Sequence, residues 1–328
     1  MGKAQYSNNK DRAFVKTIQR MLVVPEVPIA FFILVFVVVI SVTAQYFFTS
    51  SNMLLVSKQL AINGILALAM ALSIISGGLD LSVGSMLGAL LTFAGTMGLT
   101  YHLPYSMVFI LTLLVGAGCG AVNGIAIVGL SVPPIIVTLG TMNAFKGVVL
   151  VITNGSWFTG FPPVYRQIGN GFIPFSILVT LTVFMSIMMK KTRFGRHIRS
   201  MGGSESSARL AGINVKRTKF FVYVICGILV GLATMIYLGR AGVGEPTAGT
   251  GYETQALAAA VVGGVSFIGG RGSMLGAFLG AVLMGFLLNG MVSLQISSYY
   301  QGIVTGLVIV LALVMEMVRN NYLKRLTL

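Results

Sequence analysis

Ten apolar stretches, each bounded by glycine, proline or a polar cluster, run through the chain at about 28–48, 54–76, 83–100, 105–129, 134–152, 172–189, 218–239, 254–268, 274–293 and 300–318. A helix needs roughly 20 apolar residues to cross a bilayer, whose hydrocarbon offers no partner to an unpaired backbone amide or carbonyl. Ten crossings use roughly 200 positions. The 328 residues are 56% hydrophobic and 9% charged, whereas soluble domains carry about 25% charged residues. The expected fold is therefore an all-α integral membrane protein of about ten transmembrane helices, with little chain left over. A water-soluble enzyme is excluded. The stretch at 254–268 is short for a full crossing and is a candidate for partial re-entry.

The formal charge of +15 is confined to three segments. Residues 1–20 hold Lys3, Lys10, Arg12, Lys16 and Arg20. Residues 190–219 hold Lys190, Lys191, Arg193, Arg196, Arg199, Arg209, Lys216, Arg217 and Lys219, and the last segment holds Arg319, Lys324 and Arg325. Asp11 and Glu205 are the acids among them; the remainder of the chain balances five cations against five anions. Basic residues confined to short flanks of apolar spans mark cytoplasmic loops. This distribution sets aside a nucleic-acid partner and sets the lipid bilayer in its place.

Starting inside, the sixth span ends just before the basic loop and the tenth just before Arg319, so an even number of crossings puts both on one side. The organisation expected is a basic cytoplasmic tail at 1–27, a single membrane domain at 28–318 with a cytoplasmic loop at 190–217, and a basic cytoplasmic tail at 319–328. The basic start and the apolar run ending Val42-Thr43-Ala44 superficially resemble a signal peptide, but the run is long enough to span. Parity assigns 153–171 and 240–253 to the outside. Neither is large enough for a binding domain, so a soluble substrate-binding component, if there is one, must be a separate protein.

Many of the 41 glycines recur at a spacing of four inside the spans: Gly84/Gly88, Gly116/Gly120/Gly124, Gly227/Gly231 and Gly272/Gly276/Gly280. Small residues at this spacing let helix backbones approach closely in lipid. GSMLGALL at 84–91 returns as GSMLGAFL at 272–279, and is read either as the mark of an ancient repeat or, since the flanking residues hardly match, as one packing solution used twice. Cys119 and Cys226 lie in apolar runs with no histidine or carboxylate at ligand spacing, so they are packing residues and no metal site is expected.

Catalytic chemistry is missing. No paired carboxylates, histidine cluster or nucleophile constellation can be assembled, so no catalytic residues are assigned. No phosphate-binding loop of the G-x-x-x-x-G-K-[ST] type is present, so ATP and Mg, if they drive transport, are bound by a partner ATPase and no cofactor belongs to this chain. Within the basic loop, Ser204, Glu205, Ser207, Ala208, Arg209, Leu210 and Gly212 read as one short helix. Ser204 caps it, Glu205 favours its positive end and Gly212 provides the left-handed stop. Leu210 and Ile213 are expected to give it a small apolar face, as a knob in a partner's groove or as a plain connection. Asp80 and Ser82, in the turn before the third span, are read either as its cap or as a cytoplasmic gate. Lys146 is the cation at membrane depth, either lining a translocation path or snorkelling outward. Arg166, Arg240, Glu245 and Glu253 are candidate rim charges for docking an external protein, or solvated loop charges.

Six stretches carry a family resemblance: SGGLDLSVGSMLG at 76–88, VTLGTMNAFKG at 137–147, TNGS at 153–156, TRFGRHIRSMGGSESSARLAGINV at 192–215, EPTAGTGYETQALAAAVVGGVSFIGGRGSMLG at 245–276 and SSYYQGIV at 297–304. In order and from about residue 50 onward, the chain resembles the permease subunits of ABC importers for ribose and related sugars (xylose, arabinose, galactosides, autoinducer-2), and TAGTGYE and SSYYQ most resemble ribose permeases. The resemblance implies ten spans with both ends cytoplasmic in a bacterial inner membrane. It also implies a second permease subunit, read as a homodimer, an ATPase chain with two nucleotide-binding modules, and an extracytoplasmic sugar-binding protein. Two departures matter. Gly212 lies seven residues after Glu205, unlike the EAA-x-x-x-G loop of other importers, and Lys146 stands where similar permeases often carry arginine, which weakens a bidentate role. Permeases for amino acids or nucleosides, and an autonomous channel or carrier, are the competing readings.

Overall fold

The computed structural model describes residues 26–44, 46–297 and 299–326. Of the basic tail read at 1–27, residues 1–25 lie outside the described residues. The helices, in chain order, are α1 (Glu26–Thr43), α2 (Ser50–Ile75), α3 (Val83–Gly95), α4 (Tyr105–Gly129), α5 (Pro134–Thr153), α6 (Ile173–Lys191), α7 (Arg193–Gly203), α8 (Glu205–Leu210), α9 (Val215–Ala241), α10 (Tyr252–Val262), α11 (Met274–Ser293) and α12 (Tyr299–Leu326). A π-helical turn at Thr96–Thr100 extends α3, and a 3₁₀ turn spans Pro163–Arg166. Among the described residues the only strand-like feature is one isolated bridge between Phe158 and Gly244.

Among the described residues seven helices are long and apolar enough to cross a membrane: α2, α3 with its π turn, α4, α5, α6, α9 and α11. The apolar parts of α1 and α12, Pro28–Thr43 and Tyr299–Met315, are shorter. The stretch read at 254–268 is not one span. Its helix, α10, has 11 residues, about 16 Å at 1.5 Å per residue, which is roughly half of a 30 Å hydrocarbon layer.

α2 is the axis of the molecule. From Leu60 to Ser76 every residue is buried, as expected of a helix that is apolar all round. α9, α10, α11 and α6 surround it. α5 lies at the other extreme, buried only at Thr138, Val149 and Thr153.

The glycine spacing works as expected between α4 and α9. A side chain on Gly116 or Gly120 would run into the backbone of Gly227 or Tyr223, and one on Gly227 into Gly116. Gly276 and Gly280 likewise admit the backbone of α10 at Gly263 and Ala259. Gly84 and Gly88 differ: what they admit is no helix but the non-helical chain at Pro246–Gly249 and the carboxylate of Glu253. The two GSMLG copies therefore meet different partners. Of the cysteines, Cys226 is fully buried and its thiol donates to Ala69 O at 3.2 Å.

Candidate coupling, gate and docking sites

On the side of the basic loop, α7 and α8 form a bracket against the start of α9. Thr192 Oγ1 accepts the amide of Gly195 at 3.1 Å and starts α7. Ser204 Oγ accepts the amide of Ser207 at 3.3 Å and starts α8, with the hydroxyls of Ser204 and Ser207 3.0 Å apart. Gly212 takes φ +78°, the left-handed stop. The capped helix expected over 204–212 is therefore present, with its regular part at Glu205–Leu210. Its apolar face is corrected. Leu210 is 91% exposed, whereas Ile213 turns inward with Met201, Ala208 and Val215. The left-handed residue between them reverses the chain, so the two cannot share a face.

Glu205 does more than favour a helix end. Its carboxylate pairs with Lys219 in the first turns of α9 and, at 3.7 Å, with Arg209. Lys219 is nearly buried. Beneath α8 a cavity of about 210 Å³ is lined in part by Val132, Pro133, Glu205, Arg209, Lys216 and Lys219. Sequence reasoning did not single out Lys219, nor did it find α7, whose basic composition reads as loop.

Asp80 is fully buried in the turn between α2 and α3. Its Oδ1 accepts the backbone amide of Ser82 at 3.0 Å and the Ser82 hydroxyl at 2.6 Å. Asn123 of α4 donates to Ser82 Oγ at 2.9 Å, and Thr138 of α5 donates to Leu79 O at 3.1 Å. Ser82 holds the N-cap position of α3 but makes no side-chain cap bond. The capping expected of Asp80 or Ser82 is replaced by a closed turn that ties α3 to α4 and α5. Asp80 Oδ2, Asn123 Oδ1 and Tyr223 Oη are buried without hydrogen-bond partners.

Lys146 is half-buried on α5, and no acid among the described residues pairs with it. The four candidate rim charges separate into two places. Arg240 lies over the ring of Tyr237 at 5.6 Å, and the Tyr237 hydroxyl donates to Glu245. Arg166 is exposed and its guanidinium covers Gly242, which ends α9 in the left-handed region. Nearby, Tyr165 packs edge-on to Tyr105, and burial raises its phenol above the usual range. Glu253 does not belong with these three. It lies in the first turn of α10 against Gly84, at the start of α3, because the chain after α9 turns back into the bundle instead of remaining an outer loop.

The family described as branched-chain amino acid transport system / permease component matches residues 52–313. The chain belongs to this permease family. It is 39% identical over 254 residues to the ribose import permease protein of Escherichia coli K12, covering 74% of this chain and 78% of that protein. The ribose import permease protein of Bacillus subtilis 168 is 36% identical over 249 residues, covering 74% and 77%. The xylose transport system permease protein of Escherichia coli K12 is 34% identical over 293 residues, covering 69% and 74%. No solved structure matches. The resemblance drawn from the sequence motifs is thus borne out, and the chain is a multi-pass membrane permease component.

Proposed function

We propose that the chain is the permease of an ATP-driven importer for ribose or a related monosaccharide. The observation that carries this is its identity of 36% to 39%, over about three quarters of its length, to ribose import permeases of two distant bacteria. In this reading the chain crosses a bacterial inner membrane ten times in topological terms, α10 with its flanking segment counting as one, and both termini are cytoplasmic. Two copies form the path. α8 seats in an ATPase whose two nucleotide-binding modules hold ATP and Mg, and Arg166, Arg240 and Glu245 receive a sugar-binding protein outside.

The deciding measurement is uptake into proteoliposomes holding this chain with its ATPase and binding protein. Labelled ribose accumulates and labelled leucine does not. Leucine uptake without ribose uptake would return the chain to the amino-acid substrates named in the family description. Ribose flux persisting without ATPase would make it an autonomous carrier.

A further inference from the structure

Residues 242–251, between α9 and α10, form no helix. Gly244 is bridged to Phe158 of the outer loop and lies beside Leu91, Ala248 O faces Gly88, and Gly249 rests on Gly84 and Leu87. The segment therefore descends antiparallel to α3, from the level of Leu91 to that of Gly84, about 10 Å at the helical rise. A second observation fixes the depth at which α10 begins. Asn63 Nδ2 donates to Gln255 Oε1 at 2.9 Å, and Asn63 stands halfway along the 26-residue α2, about 20 Å from either end. A backbone break and a helix start thus lie near the middle of the bundle.

Non-helical backbone at membrane depth persists only where protein buries it or water reaches it. One side of this segment is buried on α3. The other side carries Thr247, Thr250 and Thr254, all exposed, and three hydroxyls within eight residues make an unsuitable surface for lipid.

Acceptors without donors lie on the buried side of the same turn, Glu253 Oε2 against Gly84 of α3 and Asn63 Oδ1 on α2. Asn63 is 7% exposed, its Oδ1 has no hydrogen-bond partner, and Glu253 Oε2 has none either. Gly251 enters α10 at φ +83°, and no side chain caps its first amides. Glu253 Oε1 accepts the amide of Gly251 at 3.3 Å. Thr254 Oγ1 donates to Gly251 O at 2.7 Å and so offers a ligand its lone pairs; with the hydroxyls of Thr247 and Thr250, a carboxamide pair, a carboxylate and helix-start amides, these groups complement a molecule whose groups both donate and accept, which is the character of a neutral polyhydroxyl compound. The carboxylate works against an anion.

We infer that Asn63, Glu253, Thr254 and Gln255, with Thr247 and Thr250 above them, form a hydroxyl-binding subsite for a sugar crossing the permease at the start of α10. This rests on the sugar-importer reading above. Both unpartnered acceptors are closed to solvent while the three threonines are exposed, so in this proposal the two acceptors open to the sugar as the transporter alternates.

The test uses the complete importer in proteoliposomes with labelled ribose. Thr247→Cys, Thr250→Cys and Thr254→Cys react with a membrane-impermeant methanethiosulfonate well above the background of Cys119 and Cys226, and ribose during turnover slows the reaction. Asn63→Leu and Thr254→Val each lower ribose uptake about tenfold, the effect of one lost hydrogen bond, while binding-protein-stimulated ATP hydrolysis stays within about twofold. Thr254 is exposed, so Thr254→Val remains readable even where Asn63→Leu fails to fold. Thiols that resist the reagent throughout, or unchanged uptake by Thr254→Val, overturn the inference. If the unmutated importer carries no ribose, the sugar-importer reading falls instead, and the thiol reaction still decides whether this face meets water.

Discussion

The carboxylate of Glu205, first residue of the exposed helix α8, is paired with the ammonium of Lys219, about one turn into the span α9. The pair joins the element proposed to seat in an ATPase to a helix that runs through the bundle against α4 and α2. A push on α8 therefore reaches α9 through a charged contact and not only through the short linker 211–214.

The two partners differ in exposure, and this gives an asymmetric prediction. The side chain of Lys219 is 10% exposed and that of Glu205 39%. Glu205→Ala leaves a nearly buried cation unpaired and destabilises by about 1–3 kcal/mol, between exposed and buried pairs. Lys219→Met removes the buried charge, while Glu205 keeps Arg209 and water, so its stability loss is smaller. Thermal unfolding in detergent should rank Lys219→Met above Glu205→Ala, and both should weaken coupling of ATP hydrolysis to uptake. Equal melting temperatures with unimpaired coupling would remove the pair from the transmission path.

Leu210 tests the contact surface itself. A leucine this exposed contributes almost nothing to the fold of the isolated chain, so Leu210→Asp should change stability by no more than about 0.5 kcal/mol. Placed in an apolar groove of the ATPase, the same aspartate buries an unpaired charge. The expected result is normal membrane insertion with loss of sugar-stimulated ATP hydrolysis. Normal stimulated hydrolysis in a well-inserted Leu210→Asp chain rejects α8 as the docking element.

What the sequence showed and what it hid follows the same division between local and long-range information. Long apolar runs and the caps at Ser204 and Gly212 are local signals, so α2, α4, α9 and α8 were legible. The pairing of Glu205 with Lys219 brings together residues fourteen apart through a turn whose geometry no periodicity reports. Leu210 and Ile213 were misjudged for the same reason, since the left-handed Gly212 between them rotates one away from the other. The shortness of the stretch at 254–268 was legible and marked it for partial re-entry. The inward course of the chain before α10 was not, because 240–253 reads as a glycine-rich outer loop and its contacts with Gly84 and Gly88 are long-range.

Asp80 separates a structural turn from a gate. Its Oδ1 holds both Ser82 donors, and its Oδ2 has no hydrogen-bond partner. Asp80→Asn keeps the acceptor and gives the other position hydrogens, in a neighbourhood where Asn123 Oδ1 also lacks a partner. It should therefore fold at least as stably and import normally. Asp80→Ala strands the buried Ser82 donors and should cost about 1–3 kcal/mol. A stable Asp80→Asn chain that has lost uptake would show that the charge itself serves the gate.

Lys146 poses the remaining question of the path. It is the thirteenth residue of α5, which runs from Pro134 to Thr153 and ends in a left-handed Asn154. At 1.5 Å per residue it lies roughly 18 Å from the start, near the middle of a hydrocarbon layer about 30 Å thick. A cation at that depth costs on the order of 2.5–3.5 kcal/mol unless water, carbonyls or a partner offset it. No acid among the described residues does so, and most of α5 is uncovered by its own chain, with open space at Gly140 and Gly147. A second permease packed on this face would enclose Lys146 in an aqueous path between the two. Lys146→Met should then insert at least as well as the native chain, because it removes the insertion cost, yet lower sugar uptake by more than about tenfold. Lys146→Arg, keeping the charge, should retain part of it. Snorkelling to the outer surface predicts the opposite pattern: Lys146→Met importing at the native rate, with the lysine serving only to reach water.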